Sequence, residues 1–321
     1  MKLEDIQNLT RQLGSGSQPR DPQDLQELML SMGMDPGNFY QELEMSSRFV
    51  DTHRDVSYSN SAVSLHSHAF YEILYCCNTC GAEYLIESVR YQLQKGDIIV
   101  IPPGTSHRPL LPEHMTEPYR RDVLWLSTEY LHTLAQILSE DSFRAPEIRL
   151  LRTAGTRWEY LGELFRRGVE EFEGKEIGWE AAVLGNTTQL LSHLRRAILD
   201  RNALPPKAEN PELVDQVMGY VENHLQAKIT LSDAARHFYV SESTLSQTFR
   251  RKMNASFYRC VTQRRLIAAK SLIAQGLTLE DIAPRVGFSD YSSFYRAFKQ
   301  EYGISPRQYR KRLEAPELPL P

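Results

Sequence analysis

The segment Leu231–Lys252 (LSDAARHFYVSESTLSQTFRRK) recurs in altered form as Leu279–Gln300 (LEDIAPRVGFSDYSSFYRAFKQ). Ala235 matches Ala283, 48 residues on, and Phe249 matches Phe298, 49 residues on, so the second copy carries one additional residue. Each copy reads as a short amphipathic helix, a turn, and a Ser or Ser-Asp ahead of a second helix. A side-chain oxygen there accepts from the free N–H groups of the helix that follows. The small alanine lets the paired helices approach closely, and the apolar positions hold their angle. This is the helix-turn-helix pattern, whose second helix fits a DNA major groove. Between the copies, Ser256–Ala274 lacks both Gly and Pro. At ~1.5 Å per residue that stretch spans roughly 28 Å as a helix. Major grooves on one DNA face recur about every 34 Å, so both second helices can reach adjacent grooves.

Charge supports the same division. The 321-residue chain has a net charge of −4, which taken whole argues against a nucleic-acid binder. Residues 1–206 carry −9 and residues 207–321 carry +5. Such asymmetry marks a nucleic-acid-binding part joined to something else. At 41% hydrophobic and 24% charged residues, the chain is neither disordered nor a fibrous rod. No apolar run approaches the ~18 residues of a membrane helix. The opening MKLEDIQNLTRQ has acids where a signal peptide needs an apolar core. The expected location is cytoplasmic. Four cysteines, Cys76, Cys77, Cys80 and Cys260, do not make a disulfide scaffold.

The rest of the chain divides by pattern. Residues 1–47 form a helical extension, with breaks at Gly14–Ser17 and Pro36-Gly37. Residues 48–127 read as short strands, including Val63–Tyr75, Tyr84–Val89, Tyr91–Leu93 and Asp97–Ile101, punctuated by Gly81 and Lys95-Gly96. Many short strands with such breaks predict a sandwich or barrel. Residues 128–204 turn helical. Leu184, Leu191 and Ile198 recur every seven residues, supported by Leu194, which fits either self-association or packing within the chain. Residues 205–210, with Pro205-Pro206, form the linker, residues 211–312 the paired helix-turn-helix domain, and 313–321 a tail.

The segments Ile282–Arg312 and Arg264–Ile273 carry a long signature: Gly-Phe, then Phe-x-x-x-Phe, then Gly-x-Ser-Pro. On these residues the C-terminal third resembles the DNA-binding domain of AraC/XylS-type transcription regulators. The resemblance places the first recognition helix at Glu242–Lys252 and the second at Asp290–Gln300. It turns Ser243, Ser246, Gln247 and Arg250, and then Tyr291, Ser292, Ser293 and Arg296, toward base edges. Leu245, Phe249, Phe294 and Phe298 fall in the core. Arg296 can fork to guanine and Gln247 can pair with adenine. Arg251, Arg264, Lys299 and Arg307 are expected on phosphates, which position without specifying. Pro284 departs from a regular helix, because its ring opposes the carbonyl near Glu280.

The N-terminal half holds a second motif. His66-Ser67-His68 followed by Glu72 would place both histidines and the carboxylate on one face of a period-two strand. Gly96-Asp97 through Pro102, Gly104 and His107 follows. Together these resemble the two cupin motifs, H-x-H-x3-E and G-x5-P-x-G-x2-H. The resemblance implies a cupin-like barrel, with His66, His68, Glu72 and His107 as small-molecule contacts or as ligands of a divalent transition metal such as Fe, Mn, Ni or Zn. Cys77-Asn78-Thr79-Cys80 is a CxxC with no second pair to complete a zinc site, and reads as turn cysteines.

The expected architecture is multidomain α+β: a cupin-like barrel with flanking helices, then two helix-turn-helix units on a linker helix. The expected function is a non-enzymatic, sequence-specific transcription regulator that binds double-stranded promoter DNA, senses a small-molecule effector and forms a homodimer, with no membrane partner. The alternative is a metal-dependent cupin enzyme fused to a DNA-binding domain.

Overall fold

The computed structural model of the chain describes residues 45–57, 65–112, 114–138, 150–200, 212–253 and 255–314. The expected helices before residue 45, the Pro205-Pro206 linker and residues 315–321 lie outside them. The N-terminal half contains eight described strands: β1 (Val50–Ser57), β2 (Tyr71–Cys76), β3 (Glu83–Ile86), β4 (Val89–Gln92), β5 (Asp97–Ile101), β6 (His107–Leu110), β7 (Tyr119–Leu126) and β8 (Leu150–Arg152). They form a five-stranded sheet, β1-β7-β2-β5-β8, and a three-stranded sheet, β4-β3-β6. Helix α1 (Thr128–Leu138) precedes β8, and α2 (Leu161–Gly174) and α3 (Trp179–Leu199) follow it.

Strands β2 and β5 are buried along nearly their whole length. One of their faces meets the opposing sheet, and the other meets Leu161, Phe165 and Leu190 of the α2–α3 pair. Continuous apolar runs such as Ile98–Ile101 follow from that double burial. Strand β8 corrects the expectation that residues 128–201 are helical throughout, because it pairs antiparallel with β5 (Ile98 opposite Leu151). The heptad on α3 serves the chain's own core. Leu191 and Leu194 are buried there, and Leu184 and Ile198 pack against the same cluster. Self-association through those leucines is therefore displaced by intramolecular packing.

The C-terminal half consists of α4 (Leu213–Asn223), α5 (Leu231–His237), α6 (Glu242–Met253), α7 (Phe257–Ala274), α8 (Leu279–Arg285), α9 (Tyr291–Tyr302) and α10 (Pro306–Glu314). The helix starts are set by side-chain caps: Thr230 for α5, Ser256 for α7, Thr278 for α8 and Asp290 for α9. Ser241 does the same for α6, accepting from Thr244 N–H at 3.0 Å. Pro284 sits in the final turn of α8, which runs on to Arg285. The displaced carbonyl belongs to Glu280, on the exposed side of the helix. The helix-turn-helix turns differ. Gly287 takes φ 87°, and a Cβ there would lie 1.9 Å from the Leu225 carbonyl oxygen, so glycine is required. The matching turn in the first unit uses Tyr239 at φ 55° with its side chain in solvent.

The halves meet across the outer face of β4-β3-β6. Tyr84 and Ile86 point into the β core, whereas Leu85 and Leu110 join Val214, Val217 and Phe257 in the core of the first helix-turn-helix unit. Arg90 is bonded to Glu83 at 2.6 Å on its own sheet and to Asp215 at 3.3 Å on α4. Arg264 pairs with Glu222 at 2.7 Å and donates to the Glu87 carbonyl in the β3–β4 turn. It is 3% exposed and cannot meet DNA phosphate, which corrects the phosphate contact expected of it.

Candidate functional site

His66, His68, Glu72 and His107 come together between the two sheets, and all four are buried. The route differs from the one the strand period predicts. Strand β2 begins only at Tyr71, so neither His66 nor His68 lies on it. His66 is instead held by an isolated bridge to His107, with N–H to O distances of 3.1 and 2.9 Å. The intervening bend places His68 beside Glu72, and the His68 carbonyl accepts from Gly104 N–H at 2.8 Å. Donor atoms of His66, Glu72 and His107 lie within 4.8 Å of one another. His68 Nε2 stands 3.5 Å and His107 Nε2 3.0 Å from Glu72 Oε2.

The hydrogen bonds fix the tautomers. His68 Nδ1 lies 2.8 Å from the Phe70 carbonyl, and His107 Nδ1 lies 2.8 Å from the Thr105 carbonyl. A carbonyl only accepts, so each Nδ1 carries the proton. Each ring then points its Nε2 at Glu72 Oε2. These three atoms have no hydrogen-bond partner. The other carboxylate oxygen, Oε1, accepts from Trp125 Nε1–H at 3.0 Å. Burial raises the Glu72 carboxyl, but the facing nitrogens of His107 and His68 outweigh it and hold the group well below the usual carboxylate range. Burial pushes His68 toward its neutral form. A carboxylate and imidazoles converging on one buried point are the ligand types that suit a transition-metal cation.

The walls around this point are also polar. Tyr84 stacks 6.2 Å from the His107 ring, and Arg121 is bonded to Ser57 at 2.9 Å and Asp55 at 2.7 Å. Sequence reasoning missed Trp125, Tyr84 and Arg121. The alternation of β7 places Trp125 opposite Glu72, and that register is what a strand alignment would have shown.

The cysteines lie apart. All four are free, and burial pushes Cys76 up to about 12 and Cys77 up to about 11. Neither is poised as a thiolate nucleophile or ligand.

On the helical half, Ser243, Gln247, Arg250 and Arg251 are exposed along α6, with Ser246 half-buried. Along α9, Ser292, Arg296 and Lys299 are exposed, and Tyr291 and Ser293 are half-buried. Leu245, Phe249, Phe294 and Phe298 are fully buried on the opposite faces. Ser293 is partly engaged in capping, since its N–H and hydroxyl bond Asp290 at 2.8 and 2.9 Å. Arg296 reaches back to the Ser293 hydroxyl at 3.3 Å, and its guanidinium stays in solvent. Helix α7 between the two units has 18 residues.

Comparison with known proteins agrees with both halves. The AraC-like ligand binding domain family matches residues 52–142, and a helix-turn-helix domain family matches residues 234–312. The HTH-type transcriptional activator RhaS of Salmonella arizonae is 26% identical over 260 residues, covering 78% of this chain and 88% of its own. The arabinose operon regulatory protein of Salmonella typhimurium is 25% identical over 226 residues, covering 69% and 76%. Among solved structures, ToxT of Vibrio cholerae covers 83% of this chain and 98% of its own at 13% identity, with a TM-score of 0.37.

Proposed function

The chain belongs to the AraC family of DNA-binding transcriptional regulators, and we propose that its β-rich half senses through the histidine–glutamate cluster, which holds a divalent transition-metal ion. The observation that carries this reading is the set of buried polar atoms without a hydrogen-bond partner, His68 Nε2, His107 Nε2 and Glu72 Oε2, converging inside the fold. A buried polar atom without a partner costs ~1–3 kcal/mol, and several sharing one focus are best satisfied together by a cation. His66, Glu72 and His107 would hold the ion, with His68 beside them. Bound there, it would supply a Lewis-acidic anchor for a small molecule with an oxygen donor. Trp125 fixes Glu72, and Phe70 and Thr105 fix the two rings; none of these requires catalysis. The reading is of a receptor, as in the regulators it resembles.

The test is metal analysis of the full chain after exposure to Mn²⁺, Fe²⁺, Ni²⁺ or Zn²⁺. About one ion per chain is expected, lost in His107→Ala and His66→Ala. A wild type that takes up none of these ions overturns the reading. Turnover of a substrate that these variants abolish, with regulation intact, would favour the enzyme alternative.

In this reading α6 and α9 enter adjacent major grooves of promoter DNA. Ser243, Ser246, Gln247 and Arg250, with Tyr291, Ser292, Ser293 and Arg296, face bases. Arg251, Lys299 and Arg307 face phosphates. No described helix is long and apolar enough to cross a membrane, and a DNA reader acts in the cytoplasm. A homodimer would use the outer side of α3, around Gly185 and Gln189, because the inner side is filled; sedimentation velocity checks it.

A further inference from the structure

Each histidine-bearing segment of the cluster has a neighbouring residue bonded into the helical half. Arg108 follows His107 and leaves β6 on the opposite face. Its Nη1 donates to the Met253 carbonyl at 2.8 Å, on the last residue of α6. Its Nε meets the Pro109 carbonyl at 3.3 Å. A cation at that helix end complements the negative pole of the helix.

Ser67 lies between His66 and His68. Its carbonyl accepts from Lys270 Nζ of α7 at 3.4 Å. The same ammonium sits 4.8 Å above the Tyr302 ring and 5.1 Å above the Tyr309 ring. Tyr302 is the last residue of α9, and Tyr309 lies on α10. The loop ahead of His107 also rests on α7. Gly104 takes φ 74°, and a Cβ there would meet Ser271 Oγ at 3.1 Å. The residues that build the cluster therefore alternate with residues that hold one recognition helix each: Arg108 the end of α6, and Ser67, through Lys270, the end of α9.

We infer that Arg108 and Lys270 are coupling residues through which the filled cluster fixes α6 and α9 at one separation and raises affinity for DNA. This rests on the reading of the cluster as a cation site. Glu72 Oε2 stands 3.0 Å from His107 Nε2 and 3.5 Å from His68 Nε2, so the 66–68 and 105–107 segments meet at one carboxylate. A cation held by His66, Glu72 and His107 would tie both segments to β2 at one point. Ser67 and Arg108 share those segments, so their bonds to α7 and α6 are set at the same moment. Two helices held at one spacing before DNA arrives lose less freedom on binding, which is cooperativity through pre-ordering. Linkage requires the effect to be reciprocal, so DNA must raise cation affinity by the same factor.

The experiment uses the full chain, a DNA site selected from random sequence, and Mn²⁺ or Zn²⁺ against a chelator. For the wild type, the ion should raise DNA affinity on the order of tenfold, within the usual range of coupling. Lys270→Met keeps an unbranched apolar stem between the tyrosines and removes the donor. It should still take up the ion and bind DNA in chelator within about twofold of wild type, but the ion's effect should fall to near one. Retention of the wild-type ratio in Lys270→Met overturns the coupling.

Hydrogen exchange in chelator gives a second readout that needs no ion. Lys270→Met and Arg108→Met should speed exchange at residues 65–70 and 104–110, and His107→Gln should alter protection along α6 and α7. If the wild type takes up neither ion, the cation reading falls. If neither set of amides responds to substitution of the other, the coupling falls, whatever the ion does.

Discussion

Replacing Glu72 by Gln separates two explanations of the buried cluster by the sign of a stability change. Glu72 Oε1 is held by Trp125 at 3.0 Å, so the new amide would keep its oxygen there and turn its NH₂ toward the place of Oε2. That nitrogen would face His107 Nε2 at 3.0 Å and His68 Nε2 at 3.5 Å. If both Nε2 atoms present lone pairs, an acceptor opposing two acceptors becomes a donor between them. Relief of an unsatisfied buried group is worth ~1–3 kcal/mol. Glu72→Gln is therefore expected to be more stable than wild type in chelator at pH 8, by roughly 2–10 °C in the midpoint of the β half. The same change removes the anion, so added Mn²⁺ or Zn²⁺ should no longer stabilise it. In the wild type the gain should be ~2.7 kcal/mol at a hundred times the dissociation constant. Thermal unfolding followed by tryptophan fluorescence reads both, since Trp125 touches Glu72. If Glu72→Gln instead lowers stability in chelator by ~3–5 kcal/mol, Glu72 is half of a buried ion pair with an imidazolium. The convergence of acceptors then needs no metal, and the sensing reading loses its support.

The other expectations concern the two domains and their contact. Arg296→Ala should weaken DNA binding by ~1–3 kcal/mol at one base position, whereas Lys299→Ala should weaken all sequences alike and reduce the salt slope by about one, both read by binding to a substitution panel. Arg264→Met should leave the salt slope unchanged but destabilise the chain by ~3 kcal/mol in denaturant unfolding, because it strands Glu222 at the domain contact. Burial raises the Asp97 carboxyl to about 6. The folded state then binds the proton more tightly than the unfolded chain, so stability falls as pH rises from about 4 to about 6; Asp97→Asn should flatten that segment of the pH–stability curve and gain ~2 kcal/mol at pH 7.

What could be read in the sequence was what depends on local chemistry. Ser241, Thr278 and Asp290 cap helices at spacings a sequence displays, and the buried phenylalanines of α6 and α9 repeat at helical period. The recognition helices therefore fall within a residue or two of where they were expected. The histidine cluster was legible in composition but not in cause. A single strand from Val63 to Tyr75 would have aligned His66, His68 and Glu72, yet the strand starts at Tyr71. What aligns them is a long-range bridge from His66 to His107, and pairing between distant segments leaves no periodic trace. Arg264 shows the same limit from the other side. Sequence supplies its charge, and burial by Glu87 and Glu222 supplies its role.

The contact between halves was available in principle. In β3 the run Tyr84-Leu85-Ile86 has no polar member, and in a sheet with one wet face the middle residue should be polar. An uninterrupted apolar run on so short a strand means both faces are covered. On the first strand segment after the turn at Gly81, the cover cannot come from the sandwich, which already holds Tyr84 and Ile86. It must come from another part of the chain, and Leu85 in fact lies with Val217 and Phe257. Across the contact the pairing runs against the net charges: Arg90 of the acidic half meets Asp215 at 3.3 Å, and Arg264, paired with Glu222 of its own half, donates to the Glu87 backbone carbonyl. The DNA-binding half is therefore seated on its sensor by apolar burial and local pairs rather than by net charge, on faces of α4 and α7 that leave Gln247, Arg250 and Arg296 in solvent.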